Sequence, residues 1–302
     1  MSTTETKLLT VFAPAKINLY LHVTGRLDNG YHLIDSLVAF ADIGDSIDIE
    51  PASEFQFHIG GPYANAFGPK DRDHSPDSSN LVAQAVWMLA RTAQKIPNVR
   101  ITLTKNMPLA SGIGGGSSDA AAAVWGLLEW WKIPKQTHYV QGLLTRLGAD
   151  VPVCLNCRPA RVRGIGDILD PAPMLAEIPV VLVNPGKPCM TGQVFSRYSG
   201  KFREPVSFSS GLDKAEMLVS FLRQQDNDLL KPALDMVPEI GNVLTALDAQ
   251  DGCLFTRMSG SGATCFGLFE DEIYAVKAAQ ELTRENPDWW IKKGWLNRPE
   301  RY

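Results

Sequence analysis

Between residues 16 and 23 apolar and polar side chains alternate without a break. Ile17, Leu19, Leu21 and Val23 fall on one side, and Lys16, Asn18, Tyr20 and His22 on the other. A period of two predicts a strand with one apolar face buried, its other face being either solvated or the floor of a polar site. Residues 8–12 predict a shorter strand that ends at Ala13-Pro14. Asn29-Gly30 is a strong turn pair and predicts a hairpin, which makes Tyr31 a half-buried strand aromatic and His32 its polar neighbour. Further strands are expected at 36–41 and 46–50, and residues 60–79, rich in Gly, Pro, Asp and Ser, predict a surface excursion.

Helical spacing begins in residues 80–94, with Leu81, Ala85, Met88 and Leu89 on one side. A strand at 100–105 then leads into a glycine-rich loop, and a helix at 117–131 leaves it. A second helix, 137–147, is closed by Gly148 at the position where a helix C-terminus favours glycine. Asp150 follows, either as an N-cap for what starts at Val151-Pro152 or as a functional carboxylate.

Beyond residue 170, prolines at 171, 173 and 179 mark a linker, and 180–183 is a short apolar strand. A Ser-rich connection spans 197–211, and two helices are expected between 214 and 247, interrupted near Asn227-Asp228. Strands at 253–257 and 264–269 flank the small-residue loop 258–263, and a helix at 271–285 and a strand at 289–295 complete the pattern. Elements of both kinds mix without βαβ regularity and without an internal repeat, which gives an α+β chain in two domains, 1–172 and 173–302. A length of 302 residues accommodates two domains.

A hydrophobic content of 45% and a formal charge of −4 describe an ordinary globular chain without a Lys/Arg stripe, which argues against nucleic acid as a partner. Apolar runs such as 120–128 fall short of the ~18 residues that cross a bilayer, so no membrane partner is expected. Residues 1–10 carry no secretory pattern, and five cysteines, an odd number, suit reduced thiols; together they predict a cytoplasmic location. Cys154 and Cys157 form a CxxC pair, but no second pair follows to complete a zinc site.

The chemistry concentrates in Pro108, Leu109, Ala110, Ser111, Gly112, Ile113, Gly114, Gly115, Gly116, Ser117 and Ser118. Four glycines within five positions remove the Cβ atoms that keep a ligand from the backbone and permit positive φ, so successive N–H groups can converge on one anion. Ser117 is placed to cap the helix, whose positive end faces the same anion. A dinucleotide fingerprint would need glycine at position 117, which is Ser, and a Walker loop would need a lysine that is absent between Asn106 and Trp131. The bland alternative is a turn that lets a strand and a helix pack closely.

These motifs carry a family resemblance. Residues 105–121 resemble the ATP loop of the galactose, homoserine, mevalonate and phosphomevalonate kinase superfamily. The run from Met258 to Ala263, containing Ser259, Gly260, Ser261 and Gly262, resembles its third motif, and residues 13–19 resemble its first. Within the superfamily, the triple glycine, Lys16-Ile17-Asn18-Leu19, Gly30-Tyr31-His32-Leu33, the run 147–152 and Asn227-Asp228-Leu229 point to a branch that phosphorylates a cytidine-diphosphate-tagged methylerythritol. The resemblance implies a ribosomal-protein-S5-like N-terminal domain and a ferredoxin-like C-terminal domain with the active site in the cleft between them.

It also implies roles. Residues 108–118 would hold the phosphates of ATP, Asp150 would be the base, and Lys16 its charge partner. Asn18, Tyr31, His32, Thr191 and Phe195 would bind the substrate, with the cytosine held between Tyr31 and Phe195. ATP and Mg²⁺ are the expected cofactors. No acidic residue is placed by motif as a metal ligand; Asp119 and Ser117 are near in sequence, but Asp119 is read as stabilising the first turn of its helix.

Overall fold

The computed structural model describes residues 8–135, 138–208 and 211–298. The first two strands are far longer than the pattern predicts. β1 (Leu9–Arg26) and β2 (His32–Pro51) form one antiparallel ribbon, closed by the turn at Asn29-Gly30. The predicted breaks at Pro14 and between residues 41 and 46 do not occur. Pro14 instead sits opposite Gly44 at a register shift, where the missing N–H is tolerated. A Cβ on Gly44 would lie 2.2 Å from the Ala13 carbonyl oxygen, so only glycine allows the strands to stay paired there.

The alternation in β1 does not mark a solvent face. Lys16, Asn18, Tyr20 and His22 are all buried; Lys16 and Asn18 line a cleft, as the polar-site expectation had it, while Tyr20 and His22 are covered by packed structure.

On the N-terminal side β2 pairs with β4 (Val99–Thr104), which runs parallel to β3 (Gln56–Gly60), and with β5 (Ala160–Gly164), which pairs with β6 (Ile168–Pro171). Four helices cover this sheet: α1 (Leu81–Thr92), α2 (Gly115–Trp131), α3 (His138–Leu147) and α4 (Val151–Asn156). The predicted start of α3 at Thr137 lies outside the described residues. The core here joins Ile47, Ile49, Ile101 and Leu103 of the sheet to Val86, Leu89, Val124 and Leu127 of the helices. Each such side chain contributes about 1.5–3 kcal/mol relative to exposure. The alanine run of α2 brings that helix close to the strands: a Cβ on Gly126 would meet Ile49 Cδ1 at 2.6 Å.

The second half builds the antiparallel order β10-β7-β9-β8 from β7 (Ile178–Asn184), β8 (Cys253–Met258), β9 (Cys265–Phe269) and β10 (Trp290–Leu296). Its sheet joins that of the first half where Leu296 of β10 lies opposite Ala41 of β2, and Leu21 of β1 makes an isolated bridge to Asn227. Helices α5 (Thr191–Ser196), α6 (Ala215–Arg223), α7 (Leu230–Leu234), α8 (Glu239–Asp248) and α9 (Glu272–Glu285) complete it. The two helices expected between 214 and 247 are three, and Pro232 lies inside the first turn of α7, where a missing N–H costs no helical bond. Part of the Ser-rich connection, residues 209–210, lies outside the described residues. Among the described residues no helix is long and apolar enough to cross a membrane. No disulfide links the five cysteines, which all lie among the described residues.

Candidate active site

A cleft of about 1170 Å³ opens between the glycine-rich loop, the β1–β2 turn, the start of α4, helix α5 and the loop 258–263. Every element on which sequence motifs fall contributes to it.

The glycine-rich loop owes its shape to left-handed backbone at Ala110, Gly112 and Gly114. Gly114, at φ 65°, occupies the N-cap position of α2, so the helix starts at Gly115, two residues before the predicted start. Ser117 is therefore not the cap. It lies in the first turn and lines the cleft, while Ser118 turns inward and donates to the Pro14 carbonyl (2.7 Å). A helix leaves its first N–H groups without intrahelical partners, so Gly115, Gly116 and Ser117 present backbone donors to the cleft at the positive end of a 17-residue helix. The loop is fixed from behind: Lys16 N–H donates to the carbonyl of the buried Ile113 (3.0 Å).

The loop 258–263 interlocks with it. Ser259 Oγ donates to the Gly112 carbonyl (2.9 Å) and accepts from Asn18 N–H (3.0 Å). A Cβ on Gly112 would lie 2.5 Å from the Ser259 carbonyl oxygen, and one on Gly260 would lie 2.8 Å from the Gly112 carbonyl oxygen. Asn227 holds the loop from the far side, donating to the carbonyls of Met258 and Gly260 (2.8 and 2.7 Å). Ser261 Oγ meets Thr191 Oγ1 at 2.9 Å, which joins this loop to α5. Gly262, also at positive φ, completes the tight turn.

Lys16 and Asp150 form the reactive-looking pair of the cleft. Nζ lies 2.8 Å from Oδ2; the lysine side chain is 6% exposed and the aspartate side chain 37%. Asp150 does occupy the N-cap position of α4, yet its carboxylate makes no cap hydrogen bond. It is spent on Lys16 instead. Lys16 in turn packs against the glycine loop, since a Cβ on Gly114 would touch Lys16 Cβ and Cε at 3.1 and 3.2 Å.

Asp119 does not play the helix-end role expected for it. It is buried and bonded to Lys105 Nζ at 2.7 Å, and Lys105 also reaches the buried Asp45. Asp45 accepts from the backbone N–H groups of Asn106 and Met107 as well. Burial pushes the Asp119 carboxyl up to about 8, against the attraction of Lys105. The three groups form a buried hydrogen-bonded brace beneath the start of α2. No long-range pairing of this kind is encoded in local spacing.

At the far end of the cleft stand Tyr31, His32 and Phe195. Tyr31 is 61% exposed and open to a ligand. Phe195 lies over the His32 ring, with centroids 5.5 Å apart and planes 27° from parallel. Burial and the charge of Arg26 hold the imidazole below its ordinary pKa, so it is neutral at pH 7. Asn18 Nδ2 donates to Ser36 Oγ (2.8 Å), so this side chain braces the two long strands while it lines the cleft.

The excursion at 60–79 is more than surface. Phe67, Asp71 and Ser79 line the cleft next to Asn80 and Leu81, and Lys105 lines it from below. The segment is held by Gly61, whose φ of +87° and lack of a Cβ let it press on the Lys105 backbone. Asn80 carried the legible signal, as the N-cap that accepts from Val82 N–H (2.9 Å).

Comparison with known proteins places this geometry. The model of the GHMP kinases N terminal domain matches residues 80–158, and that of the GHMP kinases C terminal domain matches residues 214–288. The 4-diphosphocytidyl-2-C-methyl-D-erythritol kinase of Paramagnetospirillum magneticum is 43% identical over 94% of this chain and 97% of its own. That of Cereibacter sphaeroides is 46% identical over 93% and 96%. A crystal structure of 4-(cytidine 5'-diphospho)-2C-methyl-D-erythritol kinase superposes with a TM-score of 0.76 at 31% identity, covering 95% of this chain and 99% of the other. A homoserine kinase from Cytophaga hutchinsonii shares the fold, with a TM-score of 0.67 at 17% identity over 97% and 96% of the two chains. The chain is an ATP-dependent kinase of the GHMP superfamily and belongs to its 4-diphosphocytidyl-2-C-methyl-D-erythritol kinase family.

Proposed function

We propose that the chain transfers the γ-phosphoryl group of ATP to the C2 hydroxyl of 4-diphosphocytidyl-2-C-methyl-D-erythritol, a step of the methylerythritol phosphate route to isoprenoid precursors. The observation that carries this reading is the Lys16–Asp150 pair, set beside an anion-ready helix start and sharing one cleft with His32 and Phe195. The phosphates of ATP lie against residues 108–118, with Gly115, Gly116 and Ser117 N–H as donors. Asp150 accepts the proton of the hydroxyl as its oxygen attacks the γ-phosphorus. Lys16 pairs with Asp150 and offsets the charge that develops on the transferring group. Phosphoryl transfer asks the protein mainly for positioning and electrostatics, which a fixed ion pair and a fixed backbone supply.

Mg²⁺ fits as an ion that arrives on the nucleotide. Among the described residues no group of three or more His, Cys, Asp or Glu is arranged to hold a metal; we read the cation as bound chiefly through phosphates and water. Ser117, which lines the cleft in the first turn of α2, is our candidate to contact it. When bound, the ion neutralises the β- and γ-phosphates.

The base lies between Tyr31 and Phe195, in plane with His32, because a ring that overlaps the imidazole also covers a base hydrogen-bonded to it. A neutral imidazole offers one donor and one acceptor, as a cytosine edge requires. Thr191 and Asn18 complete the substrate set from opposite sides of the cleft. We divide the chain at 1–172 and 173–302, reading the first part as S5-like and the second as ferredoxin-like. The strand order β10-β7-β9-β8 and the single residue pair between β10 and β2 support that reading.

The test is ADP release with Mg-ATP and 4-diphosphocytidyl-2-C-methyl-D-erythritol, set beside mevalonate, phosphomevalonate, homoserine and galactose. Turnover with the cytidylated substrate alone is expected. ATP binding without turnover on any of the five would overturn the reading.

A further inference from the structure

His32 is gripped on two sides. Phe195 covers its face, while Tyr198 meets it edge-on, with centroids 5.8 Å apart and planes at 88°. Tyr198 is absent from the lining of the cleft and lies behind His32.

The support behind Tyr198 is continuous. Its N–H donates to the Phe195 carbonyl (3.1 Å) and its hydroxyl to the Lys201 carbonyl (2.8 Å). The chain folds back over the ring at Gly200, where a Cβ would lie 2.7 Å from the Tyr198 hydroxyl oxygen and 2.8 Å from ring carbons. Arg203 then pins the segment to the end of β1. Its N–H donates to the Val23 carbonyl (3.0 Å), and its guanidinium pairs with Asp226 (2.6 Å) and Asp228 (2.8 Å). Asp228 also accepts from Val23 N–H (2.8 Å), three residues before Arg26, which pairs with His32 across the hairpin. The wall behind the imidazole is thus fastened to the strand that carries the imidazole's neighbour.

We propose that Tyr198 is a positioning residue for base recognition: held by the strap 197–203, it fixes the ring plane of His32 so that the imidazole edge meets the cytosine edge under Phe195. The inference rests on the assignment of His32 and Phe195 to the base. Tyr198 does not line the cleft, so its removal acts on substrate affinity through His32 and leaves the Lys16–Asp150 pair in place.

Three variants test it. Tyr198→Ala raises KM for the cytidylated substrate about tenfold, the scale of one lost aromatic pair, with kcat and the KM for ATP within about twofold of wild type. Tyr198→Phe keeps the ring edge and stays within about threefold of wild type. Gly200→Ala displaces the same ring and moves KM in the same direction as Tyr198→Ala. A second readout is the His32 imidazole titration followed by NMR. Its pKa lies below the ordinary value in the wild type and moves back toward it in Tyr198→Ala, as the ring loses cover. An unchanged KM in Tyr198→Ala, or a loss of kcat at constant KM, overturns the proposal.

Calorimetry with CDP separates this idea from the assignment beneath it. Wild-type protein that does not bind CDP overturns both. Wild-type and Tyr198→Ala proteins that bind CDP equally overturn only the role of Tyr198.

Discussion

Lys16 and Asp150 meet at 2.8 Å across 134 residues of sequence, and the aspartate does so by leaving the helix it precedes uncapped. An N-cap carboxylate ordinarily contributes about 0.5–2 kcal/mol to its helix. That stabilisation is absent here, and the group is held against a lysine that packs on the glycine-rich loop. Asp150→Asn therefore lowers kcat about 10³-fold, within the range of a lost general base. The thermal midpoint stays near the wild-type value, because no cap is removed and the amide oxygen still faces Lys16. A midpoint that collapses together with activity would make Asp150 structural.

The glycine loop separates two kinds of glycine. Gly112 combines φ +76° with backbone atoms of residues 259 and 262 at 2.5–2.7 Å from its missing Cβ. Neither neighbour can yield, so Gly112→Ala costs about 2 kcal/mol or more and abolishes ATP binding. Gly142 lies inside α3 with nothing within 4 Å, and alanine there stabilises by about 0.5–1 kcal/mol. Denaturant midpoints of the two variants, with ATP titrations, check the contrast.

Much of this was legible in the chain because its signals are local. The turn at Asn29-Gly30 and the left-handed glycines each follow from residues within a few positions. The burial of both faces of β1 did not, because the alternation of Lys16, Asn18, Tyr20 and His22 looks the same over solvent as under a second layer. Pro14 read as a strand end because its tolerance depends on Gly44, 30 residues away in the ribbon. Asp119 read as a helix-end charge because its partners, Lys105 and Asp45, are tertiary. Tyr198 had no motif at all. Its contact with His32 exists only once the strap has folded over it.

Asp119 sets a pH dependence with a definite sign. Its folded pKa, about 8, lies above the unfolded value of ~3.9. A group raised in this way contributes stability that is fully present below the unfolded value and is lost as pH rises toward the folded one. Asp119→Asn removes that dependence while Asp45 continues to pair with Lys105. The thermal midpoint of the variant relative to wild type accordingly rises as pH goes from 4.5 to 8. A difference that is flat or falls across that window would mean Asp119 is ionised throughout.

Asn227 holds the loop 258–263 that in turn holds Gly112. Its amide donates to two buried carbonyls, Met258 and Gly260, and its oxygen accepts from Leu229 N–H at 3.0 Å. Asn227→Ala strands three polar groups at a residue only 6% exposed. At about 1–3 kcal/mol for each unsatisfied group, partly relieved by relaxation, the loss is about 3 kcal/mol and carries ATP affinity with it, since Ser259 no longer fixes the loop. Asn227→Asp is the sharper probe. It keeps the acceptor for Leu229 and the size of the side chain, but turns the donor into a third acceptor facing two carbonyls. Near neutral pH it is at least as destabilising as alanine. As pH falls the carboxyl gains a proton and can donate to one carbonyl again, so its deficit against wild type shrinks between pH 7 and 5. Denaturant midpoints for the three proteins at both pH values decide it: an aspartate variant that stays equal to alanine at pH 5 would show that the two donated bonds are not what secures the loop.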